Sequence, residues 1–214
     1  MTRGYLFLDR PPTEEFQPWP STSPPFRINE DIAKLKVFPK ISRLVQIRIH
    51  TIMETFRQGD KDVRWYVMAD DDTVLVVDNL VEVLAKYDHT KSYYVGSNSE
   101  SVKSNFDFSF DMAFGGAGYA LSYPLAEALS TKLDGCIERY PYMSVSDFLL
   151  HSCLADLGIA LTHDKRVSPG NCYFFGLSWL LYMCPFGGVA AIALGRNRIA
   201  LTIELFCSLV EFLQ

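Results

Sequence analysis

The run Trp65-Tyr66-Val67-Met68-Ala69, followed at once by Asp70-Asp71-Asp72, constrains this chain more than any other stretch. The β-rich apolar residues over Val63 to Ala69 predict a short buried strand. Three adjacent carboxylates repel one another and are expensive to bury unpaired. The strand must therefore end where the fold opens to solvent or to a ligand.

The flanking pattern predicts what surrounds that strand. Between Glu30 and Phe56, on either side of Pro39, Val45, Ile49, Ile52, Met53 and Phe56 fall close to one helical face. The helix stops in Arg57-Gln58-Gly59-Asp60. Leu80, Val81, Val83 and Leu84 mark a second helix, with Asp78 as its expected N-cap. Ser92 to Gly96 reads as a strand. Asp111 to Ser122 reads as a strand opened by Gly115, Gly116 and Gly118. Pro124 to Leu133 is a helix with proline in its first turn. Ser146 to Leu157 is another, with Leu149, Leu150, Cys153 and Leu154 inward and Gly158 as its stop. Strands alternating with helices predict an α/β domain with a mostly parallel sheet. Residues 11–28 hold six prolines and read as an extended segment.

Composition narrows the partners. The net charge of -5 leaves no basic stripe for a nucleic-acid backbone. The five cysteines have no CxxC and no ligand spacing with histidine, which argues against zinc. Cys136 and Cys153 are the only pair inside the well-patterned region, and either a disulfide or two buried thiols fits their spacing. The N-terminus does not read as a signal peptide. Patterning decays after about Asp164, which divides the chain into residues 1–164 and a tail, 165–214. Val167 to Gly195 carries no charge, and residues 173–195 are long enough for a membrane segment, interrupted by Pro185, Gly187 and Gly188.

In open α/β sheets, ligands sit beyond the carboxyl ends of the strands. Asp70 and Asp72 there form a DxD pair of hard oxygen donors suited to Mg²⁺ or Mn²⁺ and a diphosphate; a solvated acidic turn is the plain alternative. Asp70-Asp71-Asp72-Thr73-Val74 also fits the nucleophile loop of haloacid-dehalogenase-like phosphatases, but no later acidic pair of the expected form follows. The three glycines allow close backbone approach to a ligand or a strand bend. Asp147, at a helix start, is either a capping carboxylate or a general base.

Taken together, "RGYLFLDR", "STSPPFR", "ETFR", "WYVMADDDTVLVVDNLVEVLAKYDHTKSYYVGSNSES", "DMAFGGAGYALSYPLAEAL" and "YPYMSVSDFLLHSCLADLG" resemble the plant branch of the Fringe-like β-1,3-glycosyltransferases. The resemblance covers roughly residues 3–163 and makes 1–164 a partial domain of that family. It implies an incomplete GT-A-like nucleotide-sugar fold and transfer, with inversion, from a UDP-sugar to a hydroxyl of a glycan or glycoconjugate. Asp70 and Asp72 would ligate Mn²⁺ (or Mg²⁺), Asp70 and Asp71 would serve the donor diphosphate, Gly115 and Gly116 would line the cleft, and Asp147 would be the base. The resemblance also implies the Golgi or another secretory membrane.

Two departures bear on activity. The similarity begins at about Thr2, in mid-domain, so the anchor, the stem and the first uridine-cradling units are expected to be missing. After Leu161-Thr162-His163 the family pattern is lost and no further histidine follows, so a third metal ligand must come from elsewhere. An inactive, membrane-associated remnant is the alternative to an active transferase.

Overall fold

The computed structural model describes residues 2–8, 11–14, 17–21, 23–29, 43–70, 73–164, 174–176 and 189–194. In chain order the strands are β1 (Thr2–Leu8), β2 (Phe26–Ile28), β3 (Trp65–Asp70), β4 (Thr73–Leu75), β5 (Tyr94–Gly96), β6 (Tyr119–Ser122), β7 (Leu161–His163), β8 (Phe174–Gly176) and β9 (Val189–Leu194). The α-helices are α1 (Arg43–Arg57), α2 (Val77–Leu84), α3 (Val102–Asp107), α4 (Tyr123–Arg139) and α5 (Ser146–Ala155). A 3₁₀ turn, Gly115–Ala117, precedes β6.

The expected apolar strand is β3. Trp65 to Ala69 are buried and Asp70 is only partly so, so the run ends at the edge of the core. Seven strands form the main sheet in the order β2-β1-β9-β3-β6-β5-β7, and β4 pairs separately with β8. The mixed α/β class is as expected and is consistent with an incomplete GT-A-like fold, but the sheet is mostly antiparallel rather than mostly parallel. Among the described residues, only β1–β2 and β5–β7 pair in parallel. The physical reason lies in two inserted strands. β6 lies antiparallel between β3 and β5, and β9 lies antiparallel between β1 and β3. Removing β6 and β9 in thought leaves β2, β1, β3, β5 and β7 all pointing one way. Helical crossovers do join strands of like direction here, but the joined strands are not always neighbours.

Side-chain alternation along β3 divides the core. Tyr66 and Met68 join Val45, Ile49, Ile52 and Met53 of α1, Leu125, Leu129 and Leu133 of α4, and Leu149 and Leu150 of α5 on one face. Trp65, Val67 and Ala69 join Leu80, Val83 and Leu84 of α2 on the other. The apolar face read from α1 is therefore buried as expected, with Phe56 packed at its margin. Trp65 packs within its layer beside Tyr93, with ring centres 6.4 Å apart and the planes tilted by 39°.

Several boundaries differ from expectation. Asp78 is in the first turn of α2 rather than at its cap, which is Val76 and makes no side-chain capping bond. The first turn is still where the helix dipole favours a negative charge. Strand structure within Asp111 to Ser122 is confined to β6, because the glycines form the 3₁₀ turn. Tyr5-Leu6-Phe7-Leu8 builds β1, a strand that the apolar run could have signalled. Glu30 to Ile41 lies outside the described residues.

Cys136 and Cys153 form a disulfide, with Cα atoms 5.7 Å apart, joining α4 to α5. Of residues 173–195, Phe174–Gly176 and Val189–Leu194 are strands and the remainder lies outside the described residues. Among the described residues no helix is long and apolar enough to cross a membrane.

Candidate active site

The end of β3 opens into a small cleft lined by Arg48, Asp70, Gly115, Tyr119, Ser146 and Asp147 over an apolar floor that includes Met68 and Leu150. Three separate chain segments read from the sequence as chemically active thus meet in one place: the first carboxylate of the triplet, the glycine turn and the start of α5. Asp71 and Asp72 lie outside the described residues.

The glycine turn is held from every side. The Ala113 N–H donates to the hydroxyl of fully buried Tyr94 at 3.0 Å, and the Phe114 N–H donates to the Ser97 carbonyl at 2.9 Å. The Gly115 N–H donates to Asp147 Oδ2 at 2.8 Å. A Cβ on Gly115 would sit 2.6 Å from Asp147 Oδ1, so only glycine permits this approach without displacing the carboxylate. Gly116 serves differently. Its carbonyl accepts from Thr73 Oγ1 at 3.1 Å, and the same hydroxyl accepts from the Asp70 N–H at 3.1 Å. Gly118 ends the turn with φ at 81°, a region that favours glycine.

Thr73 is therefore the hinge pin between the triplet and the glycine turn, and it is buried. No role was read for it in the sequence, where it served as part of a phosphatase pattern and of the stretch that carries the family resemblance. Arg48 was also missed. It lies one residue from the core residue Ile49 and reaches the cleft from α1, with Nη2 at 3.6 Å from Asp70 Oδ1. An arginine next to an apolar helical stripe carries no local signal of a site; only tertiary packing brings it to β3.

Asp147 is not a helix cap. The cap position of α5 is Val145, and Asp147 occupies the first turn with its carboxylate turned to the glycine turn. Burial is the largest influence on that carboxyl and raises its pKa. The Gly115 N–H, the Ser146 hydroxyl and the Arg48 charge pull the other way without cancelling the rise. A carboxylate whose pKa is raised by burial and which lines a cleft is suited to accept a proton.

The donor set for a divalent ion is hard oxygen, as Mn²⁺ or Mg²⁺ requires. Asp70 is the described member of the proposed pair, and no cluster of three ligating side chains is assembled among the described residues. His163 does not line the cleft. It ends β7, with Nε2 3.5 Å from Asp111 Oδ1.

Comparison with known proteins adds a second line of observation. The family described as "Protein of unknown function, DUF604" matches residues 104–168, a span that includes the glycine turn and α5. The chain is also similar to a mouse β-1,3-glucosyltransferase, 26% identical over 135 residues, 63% of this chain and 27% of the relative. The chain thus spans about a quarter of the length of the curated relative that it matches. The similarity is of a glycosyltransferase-like kind.

Proposed function

We propose that this chain carries the acceptor-activating part of an inverting, plant Fringe-like β-1,3-glycosyltransferase that uses a UDP-sugar. The observation that carries the proposal is the meeting of Asp70, Gly115 and Asp147 in one cleft, with Asp147 half-buried, hydrogen-bonded to Gly115 and raised in pKa. Similarity to a β-1,3-glucosyltransferase favours the same chemistry.

Asp147 accepts the proton of a glycan hydroxyl as that oxygen attacks the anomeric carbon. The bond from the anomeric carbon to the diphosphate oxygen breaks, and its electron pair leaves with UDP. One displacement inverts the centre, and no covalent sugar–protein bond is needed. The Gly115 N–H holds the carboxylate in place, and the absence of a Cβ at Gly115 leaves room for it to lie against the turn. Asp70 and Asp72 would hold Mn²⁺ or Mg²⁺, which when bound supplies positive charge to the leaving diphosphate. Thr73 fixes the Asp70 backbone relative to the glycine turn. The Cys136–Cys153 bridge suits an oxidising secretory compartment such as the Golgi lumen.

Calorimetric titration with UDP, with and without Mn²⁺, tests this reading. Metal-dependent binding that disappears in Asp72→Ala is expected. Binding that ignores both metal and Asp72 contradicts the donor assignment.

A further inference from the structure

Proton transfer by Asp147 and cation binding by the triplet leave Arg48 without a task. Three features make it more than a counter-ion. Its Nη2 lies 3.6 Å from Asp70 Oδ1, beyond the ~2.7–2.9 Å of a seated guanidinium–carboxylate hydrogen bond. Its Nε is shut away from solvent and has no hydrogen-bond partner among the described residues. Its side chain nevertheless keeps 34% exposure, so the guanidinium stands at the rim of the cleft rather than inside the core.

The charge balance of the cleft gives the second argument. Asp70 and Asp147 line it from two sides, and Arg48 is the sole cationic side chain among the described lining residues. Its field already reaches Asp147 and Tyr119. An anion entering between two carboxylates needs a positive group to meet it. Arginine presents planar, paired donors that match phosphate oxygens, and it stays charged throughout any proton transfer.

We infer that Arg48 binds the diphosphate of the sugar donor, with its guanidinium turning from the loose contact with Asp70 to the phosphate oxygens. This rests on the transferase reading above. As the anomeric C–O bond breaks, its electron pair goes to the diphosphate oxygen, and Arg48 faces the charge that develops there. The proton of the acceptor hydroxyl goes to Asp147, so Arg48 neither gains nor loses one.

The test is calorimetric titration of the full chain, as wild type, Arg48→Gln and Arg48→Lys, with magnesium pyrophosphate and with UDP, alongside unliganded thermal melts. Arg48→Gln is expected to weaken both ligands about 10- to 100-fold, the range for losing hydrogen bonds to a charged group. Arg48→Lys is expected to weaken them less, since the charge remains and the fork is lost. Pyrophosphate binding in Arg48→Gln equal to wild type overturns the assignment and leaves the transferase reading intact. Pyrophosphate binding that depends on Arg48, with UDP bound no better than pyrophosphate, upholds Arg48 and removes the nucleotide-sugar reading. Wild-type protein that binds neither ligand overturns both. If Arg48→Gln does not fold, Arg48→Lys decides: a several-fold loss supports the inference and unchanged affinity overturns it.

Discussion

The two faces of the main sheet are covered differently. One face is covered by α1, α4 and α5, whose buried side chains form a single cluster with Phe7, Tyr66, Met68 and Leu121. The disulfide lies inside that layer and ties α4 to the helix that begins with Asp147. The other face has α2, with Leu80, Val83 and Leu84 over Trp65, Val67 and Ala69. Asp70 ends β3 at the rim of the core, and its N–H is tied to the glycine turn through the Thr73 hydroxyl. The proposed base thus stands on a stapled three-helix layer, while Asp70 of the proposed cation-binding pair is joined to the glycine turn through the Thr73 hydroxyl.

The largest test of this contrast is Asp147→Asn. Transfer, followed as UDP release in the presence of acceptor, is expected to fall by about 10²- to 10⁴-fold while UDP affinity stays unchanged. In the wild type, rate should decline as pH drops through the raised pKa of Asp147. Stability carries the opposite sign. Because burial favours the protonated carboxyl, ionised Asp147 opposes folding, and the penalty grows as pH climbs from the ordinary value of 3.8 through the raised one. Asp147→Asn should therefore melt above wild type at neutral pH, and the gap should close on acidification. Melting curves that do not diverge with rising pH would show that the carboxyl is not desolvated.

Removing the staple comes next. The bridged cysteines are 17 residues apart, and the double variant Cys136→Ala/Cys153→Ala is expected to lose about 3 kcal/mol in urea denaturation. The thick face should also let α5 shift, so turnover should drop more than donor affinity. Equal loss of both would mean that the faces are not mechanically distinct. Gly115→Ala places a methyl against Asp147 Oδ1 and is expected to lower turnover about 10²-fold, the scale of a small misplacement of a catalytic group. Its melting temperature should move less than that of the cysteine variant.

The smallest effect should fall on the other side of the cleft. Thr73→Val strips the bridge between Asp70 and Gly116 and is expected to destabilise by about 1–3 kcal/mol through the unsatisfied groups left behind. Metal-dependent UDP binding should weaken, while the pH profile of turnover stays as in wild type. A shifted profile would show that the triplet loop also positions the base.

Much of the site was legible locally. Asp70, Gly115 and Asp147 could be singled out because a charge at the end of an apolar strand, a cluster of glycines and an acid at a helix start are each unusual for packing alone. Arg48 and Thr73 could not, since an arginine on an amphipathic helix and a threonine opening a strand are ordinary surface and β-sheet choices. Local pattern also supplied β3, α1, α4 and α5, though α4 extends to Arg139, beyond the expected Leu133.

Periodicity and charge placement are local properties, so the chain alone determined where its apolar strand ends, which helical faces turn inward and which carboxylates stand out. Strand order and direction depend on contacts between distant segments. Only the folded chain could decide that β6 and β9 intercalate against the common direction, that Cys136 meets Cys153, and that Asp147 turns from its helix to the Gly115 N–H. Those choices are made by competition for burial and for hydrogen-bond partners across the whole molecule, and no window of neighbouring residues contains them.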